Sequence, residues 1–188
     1  RLILMFVVLL VGNGCAIQPV VRTATTPATA CPESTAELKR LTHAALGYCL
    51  LYAADYLAVE SSDTTIDVVL GSIMNHTDPR VSLTVEEAAG RTLDQIADQV
   101  AADFTLPGVT SERTSITLAG EPAVLFDHLP GQAFNRRLIV LHQELLYHFF
   151  FTPVDPDDAV GDENMAAFYA TITESFQFIP VVPGAPVK

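Results

Sequence analysis

Two consecutive apolar runs in the last third of the chain constrain its fold more than any other feature. Residues 136–142 read RRLIVLH and residues 145–153 read LLYHFFFTP, with Gln143-Glu144 between them. A strand with one solvated face alternates apolar and polar residues, whereas a strand buried on both faces is almost continuously apolar. We therefore predict a hairpin that turns at Gln143-Glu144, with both strands in the middle of a sheet covered on both faces.

Helices to cover such a sheet are indicated by a change of period. In TLDQIADQVAADF (residues 92–104) the apolar residues recur at helical spacing, and Thr92 with Gln95 forms a capping-box pattern. Pro107-Gly108 is expected to end this helix. A final helix is predicted after Asp162 as its N-cap, with one apolar face made by Met165, Phe168, Tyr169, Ile172 and Phe176.

The start of the domain carries a weaker helix signal. Ser34 and Glu37 form a capping-box pattern, which predicts a short helix near Ser34. Six further strands are predicted at residues 47–52, 56–61, 64–73, 80–87, 113–120 and 122–129, with tips at residues 53–55 and at Gly120-Glu121. The predicted order is helix, four strands, helix, four strands, helix. The predicted fold class is α+β, an α/β/α sandwich with a largely antiparallel sheet covered by helices on both faces.

Three segments resemble the PsbP-like family, which includes lumenal PsbP proteins and LpqN-type bacterial lipoproteins. GYCLLYAADYLAVE (residues 47–60) resembles its opening strand-turn-strand, although Ala53 stands where proline is common. AGEPAVLFDH (residues 119–128) resembles the hairpin that enters the second half, and YATITESFQF (residues 169–178) resembles the closing helix with its Ser175-Phe176 end. The resemblance implies an accessory, non-enzymatic binding or assembly module, and it transfers no functional residue.

The N-terminal segment predicts where the protein works. Residues 2–11 are ten consecutive apolar residues, too few to span a bilayer but typical of an export signal. Gly14 precedes Cys15, as in bacterial lipoprotein signals, so Cys15 is the predicted site of lipidation. Gly12 and Asn13 depart from the usual signal. Cleavage after Ala16 with secretion of a chain lacking Cys15, and an uncleaved membrane anchor, are the two alternatives.

The whole chain divides into four parts by composition. Residues 1–15 are assigned to the export signal, residues 16–32 to a tether rich in Thr, Ala and Pro, residues 33–180 to the PsbP-like domain and residues 181–188 to a flexible tail. The expected location is the extracytoplasmic face of a bacterial membrane in the cell envelope.

Cys31 and Cys49 are the remaining cysteines, and an even pair in an exported chain favours a disulfide. The two residues enclose 17 others. Two separate thiols are the alternative interpretation. Their spacing resembles neither a CxxC redox motif nor a zinc site.

Charge argues against a nucleic-acid partner. Acidic residues outnumber basic ones by 22 to 10, which gives a formal net charge of −12. Such a charge repels nucleic acid and anionic lipid headgroups. We therefore predict no nucleic-acid partner. The predicted partners, which follow from the N-terminal signal and the family resemblance, are the membrane, reached through an N-terminal lipid, and a protein at the membrane surface.

Patterns for catalysis are missing from the sequence. No GxSxG motif occurs around Ser72, and the histidines (His43, His76, His128, His142 and His148) are dispersed. Across a turn at Gln143-Glu144, His142 would face Leu145 and His148 would face Ile139, so the two would not converge. Asp127 and His128 are adjacent in a strand and should point to opposite faces. We expect no enzyme activity, catalytic residue or cofactor.

The acidic loop between Asp155 and Asn164 has oxygen ligands of the kind that Ca²⁺ prefers. The spacing fails as an EF-hand, because Ala159 and Val160 stand at positions that need a ligand and a glycine. A solvated turn with a helix cap is the simpler interpretation, and we predict no metal site.

Two functions stay open. The leading hypothesis is a membrane-anchored, extracytoplasmic accessory lipoprotein that binds a protein partner. The alternative is a carrier of a lipid or small hydrophobic ligand in a cleft between sheet and helices. Its predicted lining is Phe149, Phe150, Phe151, Phe168 and Tyr169.

Overall fold

The computed structural model describes residues 30–74, 77–104, 112–154 and 157–184. Their elements, in chain order, are β1 (Leu38–His43), β2 (Tyr48–Ala53), β3 (Tyr56–Ser62), β4 (Thr65–Leu70), β5 (Arg80–Glu87), α1 (Leu93–Asp103), β6 (Glu112–Leu118), β7 (Glu121–Leu129), β8 (Asn135–His142), β9 (Leu145–Thr152), α2 (Ala159–Ser175) and β10 (Gln177–Phe178). The predicted export signal and most of the tether lie outside the described residues. No helix within the described ranges is long and apolar enough to cross a membrane.

A seven-stranded sheet forms the centre of the domain, in the order β3-β4-β5-β9-β8-β7-β6. All of its neighbouring strands are antiparallel. The two nearly continuous apolar runs are β8 and β9, and β9 is the fourth strand of the seven. The prediction that both lie in the middle of a sheet is therefore confirmed.

Helices cover both faces of this sheet. On one face, Ile96, Ala97 and Val100 of α1 pack against residues of β7 and β8 such as Phe126 and Ile139. On the other face, α2 and a second, three-stranded sheet (β1-β2-β10) enclose a larger core with β4, β5 and β9. The α+β class and the predicted sandwich, with helices on both faces of a largely antiparallel sheet, are thereby confirmed.

The predicted first helix is wrong. Residues 38–43 form β1, which pairs with β2 and places Leu41 opposite Leu50. Ser34, which suggested the cap, bonds to this strand instead: its Oγ accepts from the N–H of Arg40, and the neighbouring Thr35 Oγ1 accepts from the N–H groups of Glu37 and Leu38. Strand pairing outweighs the local helix-start signal, because β2 needs a partner along its outer edge. The signal itself is ambiguous, since Ser and Thr side chains also bond to the backbone in turns.

The two later helices are confirmed, with one cap moved. Thr92 caps α1 through a complete capping box with Gln95. α2 begins earlier than predicted, because its N-cap is Asp158, whose carboxylate accepts from the N–H groups of Val160 and Gly161. The predicted cap, Asp162, lies in the first turn of this helix, where a negative charge is also favourable. Pro107 and Gly108 lie outside the described residues.

Two hairpin turns of the seven-stranded sheet, β8–β9 and β6–β7, use left-handed backbone. Gln143 and Glu144 have φ values of 49° and 68°, which confirms the predicted tip. In the β6–β7 hairpin the turn residues are Ala119 and Gly120, with φ values of 49° and 88°, one position before the predicted pair. Positive φ at both central positions matches the right-handed twist of the paired strands.

The β2–β3 segment looks like a hairpin in the sequence, but the chain changes sheet there. β2 pairs with β1 and β10, whereas β3 pairs with β4 at the edge of the larger sheet. The turn at residues 54–55 therefore spans the gap between the two sheets and lies beside α2. This crossing forms one wall of the cleft described next.

Candidate functional site

An open cleft lies where the β2–β3 turn, the end of β4, the start of β5 and α2 meet. Its volume is about 320 Å³. Small-molecule sites in proteins begin at about 300 Å³, so this cleft has room for one long side chain or a small ligand. No pattern in the sequence indicates this cleft, because its residues come from four separated segments.

Two stacked aromatic rings form the floor of the cleft. The rings of Tyr56 and Phe168 have centroids 4.9 Å apart, and their exposed fractions are 8% and 7%. Leu70 and Pro79 add apolar surface beside them. The Nζ of Lys39 donates a hydrogen bond to the carbonyl oxygen of Tyr56 over 3.2 Å, which fixes the start of β3. The floor is therefore rigid and apolar.

Polar groups form the walls. Asp55 and Asp78 lie on the sheet side, and Asn164 and Thr171 lie on α2. The pKa of Tyr56 is raised to about 12, first by burial and then by the negative charges of Asp55 and Asp78. Both carboxylates thus act on the same phenol from two different loops. The lining of the cleft includes these two carboxylates and, among the described residues, no lysine or arginine.

Exposed apolar side chains belong to the segments that frame the cleft. Ile73 and Met74 lie between Leu70 and Asp78, and their exposed fractions are 42% and 74%. Val160, one turn before Asn164 on α2, is 69% exposed. Arg80 orders the loop, because its Nη1 donates to the carbonyl oxygen of Ile73 over 3.2 Å. The only sign of this surface in the sequence is the presence of apolar residues, Ile73 and Met74, beside a polar turn. Exposed apolar residues mark interaction sites when they cluster.

Asp127 and His128, which are adjacent in β7, have different surroundings. Asp127 binds the guanidinium of Arg136, with Nε at 3.1 Å and an Nη nitrogen at 2.5 Å. The same guanidinium lies 4.8 Å from the centre of the Tyr169 ring. His128 has a positive φ of 55° at an irregularity in β7, and its backbone N–H donates to Asp127 Oδ1. The carboxylate is thus engaged in a structural ion pair.

The histidines of the β8–β9 hairpin point to opposite faces, as predicted. His142 pairs with Leu145 and His148 with Ile139 across the hairpin. The ring of His142 stacks on Phe178 and its Nδ1 lies 2.9 Å from Glu121. Burial, followed by the nearby charge of Arg137, lowers the pKa of His148 to about 4. These two side chains cannot share a substrate.

His43 and Ser72, the remaining base and nucleophile considered in the sequence, lie in different parts of the fold. His43 is 3% exposed and lies 5.5 Å from the Tyr48 ring, and neither of its ring nitrogens has a partner. Burial lowers its pKa. Ser72 lies in the β4–β5 loop, where its hydroxyl accepts from the N–H of Met74. His76 lies outside the described residues.

The acidic loop is used as a helix start in its described part, which begins at Asp157. Asp158 caps α2, and Asp155 lies outside the described residues. Within the described ranges no group of three or more His, Cys, Asp or Glu side chains is arranged to hold a metal ion.

The predicted lining of a hydrophobic carrier is wrong for this fold. Phe149 and Phe151 are fully buried in the core beneath α2. Phe150 points to the other face, where the guanidinium of Arg137 lies 5.0 Å from its ring centre. Of the five residues only Phe168 lines the cleft. The alternation of side chains along β9 separates the aromatic residues that are adjacent in sequence.

The predicted disulfide between Cys31 and Cys49 is present, with Cα atoms 5.9 Å apart. It ties the segment before β1 to the fully buried Cys49 of β2. The bridge therefore joins the segment before β1 to the middle strand of the smaller sheet. Cys15, the predicted lipidation site, lies outside the described residues.

The arrangement of layers defines the fold class, an α+β sandwich in which helices cover both faces of an antiparallel sheet. The structure is similar to the solution structure of cyanobacterial PsbP (CyanoP) from Synechocystis sp. PCC 6803, with a TM-score of 0.53 and 17% sequence identity. The similarity covers 81% of this chain and 99% of that one. No protein-family model and no curated protein matches the sequence. The comparison at this identity establishes the fold, which the three resembling segments had indicated.

Proposed function

We propose that this protein is a membrane-anchored extracytoplasmic lipoprotein that acts as a non-enzymatic accessory module and binds a protein partner through the cleft between the β2–β3 turn and α2. The observation that carries the proposal is the cleft itself. It combines a buried aromatic floor with two carboxylates on different loops, and exposed apolar side chains lie on the segments that frame it. Protein-binding sites commonly pair such an apolar anchor with a polar surround.

Two features support the extracytoplasmic, anchored part of the proposal. The sequence has an export-signal pattern that ends at Cys15. The Cys31–Cys49 disulfide is of the kind that persists in oxidising compartments. Residues 16–29, between the proposed lipid and the first described residue, would hold the domain near the membrane surface while leaving the cleft accessible.

A binding role for the cleft is tested by filling it without changing its charge. Ala167 and Ala166 are neighbouring exposed residues of α2, but only Ala167 lines the cleft. We would place a photo-crosslinking amino acid on the β4–β5 rim at position 74 in cells of the native host. The crosslinking residue is placed in three versions of the chain: the natural sequence, the Ala167→Trp variant and the matched control Ala166→Trp.

The expected result is a crosslinked protein that is lost in Ala167→Trp and retained in Ala166→Trp. A crosslink that is unchanged by both substitutions, or reduced equally by both, contradicts the proposal. Circular dichroism of both variants shows whether the fold is retained, so that loss of binding is not confused with unfolding.

A further inference from the structure

We infer that the edge strand β6 pairs antiparallel with β6 of a second copy of this chain, which makes one continuous sheet across a two-fold axis. β6 is the last strand of the seven-stranded sheet, at the edge opposite β3 and the cleft. The inference is therefore independent of the proposed function. An edge strand carries a row of unpaired backbone N–H and C=O groups, which a further strand can satisfy.

The other three sheet edges of the described residues have features that hinder such pairing. β1, one edge of the smaller sheet, has two adjacent basic residues, Lys39 and Arg40, and β10, its other edge, is two residues long. The pairing of β3 has a register irregularity between Glu60 and Ser62. Charged side chains, short strands and bulges are usual means by which proteins block the addition of a strand.

β6 lacks a bulge and a charged centre. Its pairing with β7 is regular over all seven of its residues, and it contains no lysine or proline. Five of its first six residues are exposed. Its charged residues, Glu112 and Arg113, lie at one end, and the guanidinium of Arg113 forms ion pairs with Asp94 and Asp98 of α1 over 3.2 and 2.6 Å. The edge is thus uncharged over residues 114–118.

Hairpin geometry determines which backbone groups face outwards. Leu118 and Glu121 flank the two-residue turn and therefore form a hydrogen-bonded pair. Since such pairs alternate along an antiparallel ladder, Arg113, Ser115 and Thr117 direct their N–H and C=O groups away from β7. Among the described residues these outward groups have no backbone partner. Three residues of β6 are therefore free to pair with another strand.

The sequence of β6 suits pairing with itself. In the register that pairs the whole strand, Ser115 lies on the two-fold axis opposite its copy, Arg113 lies opposite Thr117, and Thr114 lies opposite Ile116. Like charges then do not face each other, and β-branched residues such as threonine and isoleucine suit paired strands. A two-fold contact between identical surfaces is also the commonest arrangement of protein oligomers.

Charge and contact area determine the expected strength of the dimer. Each chain has a formal net charge of −12, so two copies repel each other, and the area between two edge strands is small. We expect a weak, reversible dimer. It should tighten as salt is raised, because salt screens the repulsion between the chains while the backbone hydrogen bonds remain.

The test uses the position of Ser115 on the axis. Ser115→Lys and Ser115→Glu each place like charges opposite each other, whereas an equal mixture of the two variants places lysine opposite glutamate. Sedimentation equilibrium of the full chain in a density-matched nonionic detergent measures the dissociation constant. Each variant alone should weaken the dimer at least tenfold, and the mixture should restore it to within threefold of the natural chain.

The controls are Ala166→Lys and Ala166→Glu, which make the same changes of charge at an exposed position on α2. They should leave the dissociation constant within twofold, and circular dichroism shows whether each variant is folded. The inference is overturned by a natural chain that stays monomeric, or by Ser115 variants that dimerise like the natural chain. It is also overturned by a mixture no tighter than either variant alone, or by a dimer that dissociates as salt is raised.

Discussion

The rings of Tyr56 and Phe168 stack with centroids 4.9 Å apart and join the edge strand β3 to α2 beneath the cleft. Tyr56 is the first residue of β3, directly after the crossing from the smaller sheet to the larger one. The pair therefore closes the core at the point where the chain changes sheet. It also forms the floor on which a ligand would rest.

Removing this stack should cost stability. Phe168→Ala is expected to lower the free energy of unfolding by about 3–4 kcal/mol, since it leaves a cavity in the larger core. Phe168→Leu should cost about 1–2 kcal/mol, because apolar volume is largely kept and the ring stacking is lost. Urea unfolding measures both. Val160→Ala, at an exposed position on the same helix, serves as the control and should change stability by less than about 0.5 kcal/mol.

Reduction of the disulfide should destabilise the domain by about 3 kcal/mol, as expected for a loop of this length. The two cysteines are 18 positions apart in sequence. Thermal unfolding with and without a thiol reductant gives the difference. The Cys31→Ala, Cys49→Ala variant should resemble the reduced chain and should not respond to reductant. An oxidised chain that melts at the same temperature as that variant would contradict this prediction.

Burial of His148 should make stability depend on pH. Its pKa is about 4 in the folded chain and about 6.5 when unfolded, so protonation favours the unfolded state. The stabilising contribution is complete above pH 6.5 and is lost as pH falls towards 4. For this mostly buried ring the loss is on the order of 2 kcal/mol. His43, whose pKa is also lowered by burial, acts in the same direction.

Chemical denaturation between pH 7 and 4 checks the His148 prediction. His148→Leu should lose less stability over this range than the natural chain, because one titrating group is gone. Thr84→Val, at the position paired with His148 across β5 and β9, removes a polar neighbour without removing a titrating group. Its pH dependence should parallel that of the natural chain. Parallel curves for His148→Leu would instead show that this ring does not contribute.

The β8–β9 turn can be improved, because Gln143 and Glu144 adopt left-handed backbone that L-residues rarely prefer. Gln143→Asn with Glu144→Gly should raise the free energy of unfolding by about 1 kcal/mol. The backbone carbonyl of Glu144, which accepts from the N–H of Ala88, is retained. Ala54→Gly, in a turn where φ is not positive, should instead lower stability by up to about 1 kcal/mol.

The anchor proposed at Cys15 predicts a mass. The chain extracted in detergent from a bacterial host should begin at Cys15 and carry acyl chains on that residue. Cys15→Ala should not be acylated and should leave the membrane fraction or remain unprocessed. Intact-mass spectrometry distinguishes these products. A soluble chain that begins after Ala16 would show secretion without an anchor.

The sequence predicted the elements of the fold better than their partners. The helix period of α1 and the apolar runs of β8 and β9 are strong local signals, and both proved correct. The signal at Ser34 and Glu37 failed, because a Ser or Thr side chain can cap a helix or accept a hydrogen bond at the entrance of a strand, as Ser34 does from Arg40. The outcome was decided by β2, which pairs with β1 throughout its length, from Leu38 opposite Ala53 to His43 opposite Tyr48.

The candidate site was hidden for a related reason. The residues of the site come from parts of the chain that are tens of residues apart, and no motif links them: Asp55 and Tyr56, then Asp78, then Asn164 and Phe168. From the sequence, the consecutive aromatic residues of β9 were predicted to line one cleft. The pleat of that strand instead sends Phe149 and Phe151 into the core and Phe150 to the opposite face.

By itself the sequence determined the α+β class, the central pair of strands, and the two later helices with the cap of α1, and it favoured the pairing of Cys31 with Cys49. Period, capping and cysteine count are properties of neighbouring residues and of composition, so they can be read along the chain. Tertiary structure alone decided that residues 38–43 pair as a strand and that the chain changes sheet between Ala53 and Tyr56. It also placed Asp55 and Asp78 beside α2, because strand order and helix packing depend on the free energy of burying the whole core.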